Sequence, residues 1–156
     1  MMNMEGGMNI FDNVKKQDDI YDITEKIIDN VHCDTNSSLS QRCLTENVRA
    51  LLNSTLLYLH DNVNESDHTY DGLIRLLKAS LPDESNCYHP AYETDYDILL
   101  EYLQYDKDNP LGKDHPAIQW YKQMTLTGKM RLYVVSAAIT TVYVYCRDNG
   151  ISVTAD

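Results

Sequence analysis

The Gly128-Lys129 pair is the element of this chain that comes nearest to a nucleotide site. A phosphate-binding loop needs G-x-x-x-x-G-K followed by Ser or Thr, so that backbone N–H groups cradle the phosphates and the hydroxyl takes Mg²⁺. Here Met130 follows the lysine, and no glycine stands at the required distance before Gly128. The pair therefore predicts no nucleotide binding. A nucleophile elbow of the G-x-S-x-G type is also missing. His32-Cys33 with Cys43, or Cys87-x-His89, could offer thiolate and imidazole to zinc, but neither spacing matches a common zinc module. The four cysteines, Cys33, Cys43, Cys87 and Cys146, form no C-x-x-C pair and read as free thiols. Asp95 and Asp97 lie two residues apart, which on a helix turns them away from each other. No catalytic residue, cofactor or metal is expected.

Charge and aromatic content point to binding. Residues 1–106 carry 20 acids against 7 bases, and residues 107–156 carry 4 against 6. The net charge is −11. Such a surface repels a nucleic-acid backbone and favours cationic partners. Twelve tyrosines accompany a single Phe and a single Trp, giving large contact areas with a polar tip. Acids and tyrosines coincide in one segment. Tyr88, Tyr92, Glu93, Asp95, Tyr96, Asp97, Glu101, Tyr102 and Tyr105 are the candidate partner-binding residues. The competing reading has these tyrosines packing their helix onto the core. Lys113, Lys122, Lys129 and Arg131 could form a local DNA-contact patch, against the simpler reading of a mixed solvated surface.

The elements that must carry these residues read as helical. Ile20, Ile23, Ile27 and Val31 form an apolar stripe behind Asp18, Asp19 and Asp22. Leu44, Val48, Leu51, Leu52, Thr55, Leu56, Leu59 and Val63 recur at threes and fours and predict a long helix from Leu39 to Val63. Ser66 or Asp67 could cap a short helix with Leu73, Ile74 and Leu77 inward, ended by Leu81-Pro82. Thr94 would cap a helix with Ile98, Leu99, Tyr102 and Leu103 on its apolar side. Asp114 would cap another from Pro116, with Ile118, Tyr121 and Leu126 on its face. Residues 132–145 are rich in Val, Ile, Thr and Tyr, which favours strand, yet Met130, Val134, Ala137, Ala138, Thr141 and Tyr145 share a helical face. Helix is the reading adopted. The expected fold is an all-α bundle of six or seven helices. Residues 1–9 read as a flexible lead-in, 10–146 as one domain and 147–156 as a C-terminal tail. No apolar run reaches bilayer length and no secretory signal opens the chain, so a soluble, cytoplasmic domain without direct membrane contact is expected.

Several segments resemble a known family. The run Glu46-Asn47-Val48-Arg49-Ala50-Leu51-Leu52-Asn53-Ser54-Thr55-Leu56-Leu57-Tyr58-Leu59 is similar to the long helix in the all-alpha domain of type IV secretion coupling proteins, the TraG/TraD-type ATPases of conjugation. Asp114-His115-Pro116-Ala117-Ile118-Gln119-Trp120-Tyr121-Lys122, Gly128-Lys129 with Ser136-Ala137-Ala138, and Asn9-Ile10-Phe11-Asp12 resemble further family segments in the family's order. Ile10 departs from the usual proline, and the family's run after Ile139 is missing. The resemblance implies a substrate-receptor domain inserted in a hexameric ATPase anchored at the inner face of the membrane. It would recruit a relaxase, a relaxosome accessory protein or an effector protein for DNA transfer, and would itself be monomeric when isolated. An inserted domain must bring its ends, near Ile10 and near or beyond Ile139, close together. A generic helical protein-binding adaptor, or a local DNA-binding module, is the alternative. On either reading, calorimetric titration of ATP into the protein should show no micromolar binding.

Overall fold

The computed structural model describes residues 9–30, 39–82, 93–124 and 128–154. Among them are six α-helices, two single-turn 3-10 helices and no strand: α1 (Gln17–Asn30), α2 (Leu39–Asn62), α3 (Tyr70–Ala79), α4 (Asp95–Tyr105), α5 (Pro116–Lys122) and α6 (Gly128–Asp148). The all-α expectation holds. Helix α2 lies at the centre, packed against α1, α3, α5 and α6, while α4 covers one side against α3 and α5.

Helices α1, α3, α4 and α5 start where a side chain can replace a missing backbone partner. Asp19 accepts hydrogen bonds from the Lys15 and Lys16 N–H groups at 2.9 and 3.1 Å before α1, and these bonds hold its carboxyl below the usual range. Thr69 caps α3 by accepting from Gly72 N at 3.0 Å. Ser66 and Asp67, read as caps, instead sit in a 3-10 turn, Glu65–Asp67, closed by bonds from Asp67 N to Asn64 O and from His68 N to Glu65 O. That turn postpones the helix to Tyr70. Thr94 caps α4 as expected and forms a reciprocal box with Asp97. At α5 the cap is His115 rather than Asp114, which is taken up in the 3-10 turn Gly112–Asp114.

Residues 132–145 are helical despite their β-branched content. Val134, Val135, Ala138, Val142 and Cys146 of α6 are buried, a spacing that only a helix can turn towards α2 and α3. Packing outweighs strand propensity here. Met130, expected on the same face, is 54% exposed.

The inner face of α4 also differs from expectation. Tyr96, Leu100 and Leu103 are buried, whereas Ile98 and Tyr102 face outward. Leu103 is buried and Leu99 packs on the core as expected, while Tyr96 and Leu100 take the inward places expected of Ile98 and Tyr102.

Residues 147–154 are no loose tail. Helix α6 runs on to Asp148 and ends in a left-handed Gly150 (φ +69°), with Ile151 N donating to Cys146 O and Gly150 N to Arg147 O. This paired closure satisfies the last carbonyls and suits glycine. Ile151 is then buried, Val153 packs on the core, and Thr154 N donates to Asp71 Oδ1 at 2.7 Å. At the other end, Ile10 N donates to His68 O. Ile10 and Tyr145 line the same cavity, with a volume of about 420 Å³.

Gly72 marks the closest approach of α3 to the turn before it. A Cβ there would lie 2.1 Å from the carbonyl oxygen of Asp67. Gly72→Ala should therefore destabilise the protein by about 1–3 kcal/mol, although alanine is the better helix former by about 1 kcal/mol. Chemical denaturation that finds the variant more stable would refute this packing.

Candidate functional site

The segment of acids and tyrosines divides into an inner and an outer set. Tyr88 and Tyr92 lie outside the described residues. Tyr96, expected to meet a partner, is fully buried, with its hydroxyl 2.8 Å from Ser54 Oγ and its ring edge-on to Tyr58 and Tyr121. Burial pushes its hydroxyl pKa far up, partly countered by the bond to Ser54. It is a core residue, and the expectation is corrected.

Asp97 is committed as well. It accepts from Thr94 N at 2.7 Å and from Arg131 at 2.6 Å. This also removes Arg131 from the DNA-contact set, because its guanidinium is mostly buried and lies 5.1 Å above the Tyr121 ring centre. Arg131 joins α6 to α4. Lys113 and Lys122 are exposed, and the side chain of Lys129 lies outside the described residues. With Arg131 withdrawn, the proposed patch of four cations is not assembled as expected.

What α4 turns outward is Tyr102 and Tyr105, 72% and 74% exposed, with Ile98 at 39%. Glu93, Asp95, Glu101, Asp106 and Asp108 are exposed around them. The turn after α4 is held by Asn109, whose side-chain amide donates to Leu103 O and Gly112 O at 2.9 and 3.1 Å. It presents Leu111, 52% exposed. Large side chains that stay exposed beside acids are common where a partner covers them. A second period in the sequence, Ile98, Tyr102 and Tyr105 beside Tyr96, Leu100 and Leu103, was the signal that could have revealed this face.

A constellation missed by sequence reading joins α2 to α5. Asp61 Oδ2 accepts from His115 Nε2 at 2.8 Å, and Asp61 Oδ1 pairs with His60 Nδ1 at 2.6 Å. His115 Nδ1 accepts from Ala117 N at 3.1 Å, which places its proton on Nε2. Burial raises the Asp61 carboxyl, but the two imidazole contacts outweigh it and hold the group below its ordinary range. Both ring nitrogens of His115 are engaged, so it clamps two helices and has no lone pair to offer as a base. His60 and His68 flank Phe11 edge-on, each 5.0 Å between ring centres, and fix the N-terminal segment. Among the described residues no group of three or more His, Cys, Asp or Glu could hold a metal ion, and no helix is long and apolar enough to cross a membrane.

Comparison with known proteins returns nothing. No family model, no curated protein and no solved structure gives a significant match to this chain.

The clamp makes two checkable statements. His115→Ala removes the α5 cap and one partner of Asp61, and should cost at least about 1–2 kcal/mol in a denaturation experiment. Asp61 has a lowered folded-state pKa, so its contribution is present above the ordinary carboxylate pKa of about 4 and fades as pH falls through the lowered value. Asp61→Asn should accordingly lose less stability than the parent between about pH 5 and pH 2. Identical pH profiles would contradict the assignment.

Proposed function

We propose that this chain is a protein-docking domain that meets a basic partner through the outer face of α4 and the turn after it. The observation that carries the reading is the exposure of Tyr102 and Tyr105, 72% and 74%, on a helix ringed by exposed acids. An acidic surface speeds encounter with a cationic protein, and tyrosine contributes contact area at low entropy cost.

The finer proposal is that the domain serves as the substrate receptor of a type IV secretion coupling protein, taking up a relaxase, a relaxosome accessory protein or an effector protein at the cytoplasmic face. Its support is the resemblance in four ordered segments, together with where those segments lie. The longest forms most of α2, the acid-His-Pro segment forms the start of α5, and these two helices pack on each other. Ile10 and Tyr145 line one cavity, the proximity that an inserted domain requires. In this reading the domain itself has no catalytic role, and ATP hydrolysis belongs to the rest of a hexameric parent. The same surface would serve a helical adaptor outside that family. Walker motifs flanking this region in the gene would decide between the two.

The docking face can be tested without disturbing the fold, because Glu93, Asp95 and Glu101 are exposed and outside the α4 capping box. The triple variant Glu93→Gln, Asp95→Asn, Glu101→Gln should bind the cognate relaxase or accessory protein about three- to tenfold more weakly at low salt. The difference should shrink as ionic strength approaches about 1 M. Unchanged affinity at every salt concentration, with an unchanged melting temperature, would remove α4 as the docking face.

A further inference from the structure

The outer residues of α4 have a regular spacing. Ile98, Tyr102 and Tyr105 stand at i, i+4 and i+7, so they form one ridge along the helix. By the same helical geometry Asp95 and Asp106 edge this ridge on one side and Glu101 on the other. Beside the ridge a groove of about 510 Å³ separates α4 from α5, lined among others by Leu100, Glu101, Tyr105, Ile118, Tyr121 and Lys122. Tyr105 is common to ridge and groove. Buried at this groove, Tyr121 Oη and Arg131 Nε find no hydrogen-bond partner among the described residues.

A ridge beside a groove is the shape one α-helix offers to another. An extended peptide has no strand edge to pair with among the described residues, so its own backbone N–H and C=O groups would gain little. A helix brings its backbone already satisfied and needs only side-chain contact. The charges select its composition. A second copy of α4 would set Asp95, Glu101 and Asp106 against one another, and like charges in contact are unfavourable. Lys or Arg bordering an apolar seam would instead meet Glu101 beside the groove and Asp95 and Asp106 across the ridge, while Lys122 marks the α5 rim.

We propose that the ridge Ile98–Tyr102–Tyr105 and the α4–α5 groove seat one amphipathic helix of the partner, whose apolar seam is bordered by Lys or Arg. This rests on the docking reading above and specifies the element it recognises. Helix α4 has 11 residues and is about 16 Å long, so roughly three turns of the partner suffice.

The test uses the full chain and four fluorescent probes at about 0.15 M salt. One is a peptide of about 14 residues, about 21 Å as a helix, with leucines on one face and lysines beside them. The second has the same composition scrambled so that no seam forms. The third is a lysine-containing polyproline peptide, and the fourth is duplex DNA. Fluorescence anisotropy should give the seamed peptide at least about tenfold tighter binding than each other probe. The variant Tyr102→Ser/Tyr105→Ser should lose about tenfold for the seamed peptide alone, at unchanged melting temperature, and peptide-induced amide shifts should centre on residues 95–122. Equal binding of the scrambled peptide, tighter binding of polyproline or DNA, or indifference to the double variant would overturn the helix proposal. If the seamed peptide fails while relaxase binding still depends on Glu93, Asp95 and Glu101, the docking face stands and only its helical ligand falls. If both dependences are absent, both readings fall.

Discussion

The middle of α2 is enclosed on every side. Each residue from Ala50 to Leu57 is buried, including Asn53, Ser54 and Thr55. A helix hidden in this way cannot leave its polar side chains to water. Thr55 Oγ1 turns back to Leu51 O at 2.9 Å. Ser54 Oγ reaches outward, donating to Ala117 O at 2.7 Å and lying 2.8 Å from Tyr96 Oη. One hydroxyl therefore ties the central helix to α5 and to the only deeply buried tyrosine of α4. An unpaired phenol there would cost about 1–3 kcal/mol. The rotation of α4 follows from this constraint. With Tyr96 held inward beside Leu100 and Leu103, Ile98, Tyr102 and Tyr105 have no face left but the outer one.

The links around that anchor are polar and reach across the sequence. Arg131 of α6 pairs with Asp97 and covers Tyr121, so α4, α5 and α6 meet at one guanidinium. Asp61 and His115 join the end of α2 to the start of α5. Arg49 of α2 pairs with Glu25 of α1 at 2.8 Å and also with Glu46. Cys146 sits at the far end of α6, its thiol pushed up to about 12 by burial, and is inert packing. Of these contacts Arg131–Asp97 fastens α4 itself, and the others brace the bundle on which α4 rests. A face fixed in this manner can bind with little loss of its own conformational freedom.

Strong periodicity was readable where a helix has one apolar side. The inward set Leu73, Ile74 and Leu77 of α3, and the span of α2 to within a residue, follow from spacing alone. Thr94 as the α4 cap was readable because Asp97 completes its box. Local signals failed where distant residues decide. Whether Tyr96 or Tyr102 turns inward depends on Ser54, 42 residues before Tyr96. Arg131 counts as a surface cation until Asp97 arrives from 34 residues away. His115 displaces Asp114 as cap because its other nitrogen has Asp61 to hold it. The C-terminal residues read as a tail, and only Asp71 of α3 shows why Thr154 stays close. Of the candidate site, the acidic character of the segment was legible, but the split between the buried Tyr96 and the exposed Tyr102 and Tyr105 was not.

The outer face of α4, set by a hydroxyl buried beneath it, is the proposed docking place for another protein. Hydrogen–deuterium exchange of the chain, alone and with a basic protein that binds it, tests this most directly. Slower exchange is expected in residues 95–111 on complex formation, with the amides of central α2 already slow in both states. Protection appearing on α1, α3 or α6 while residues 95–111 exchange unchanged would contradict it.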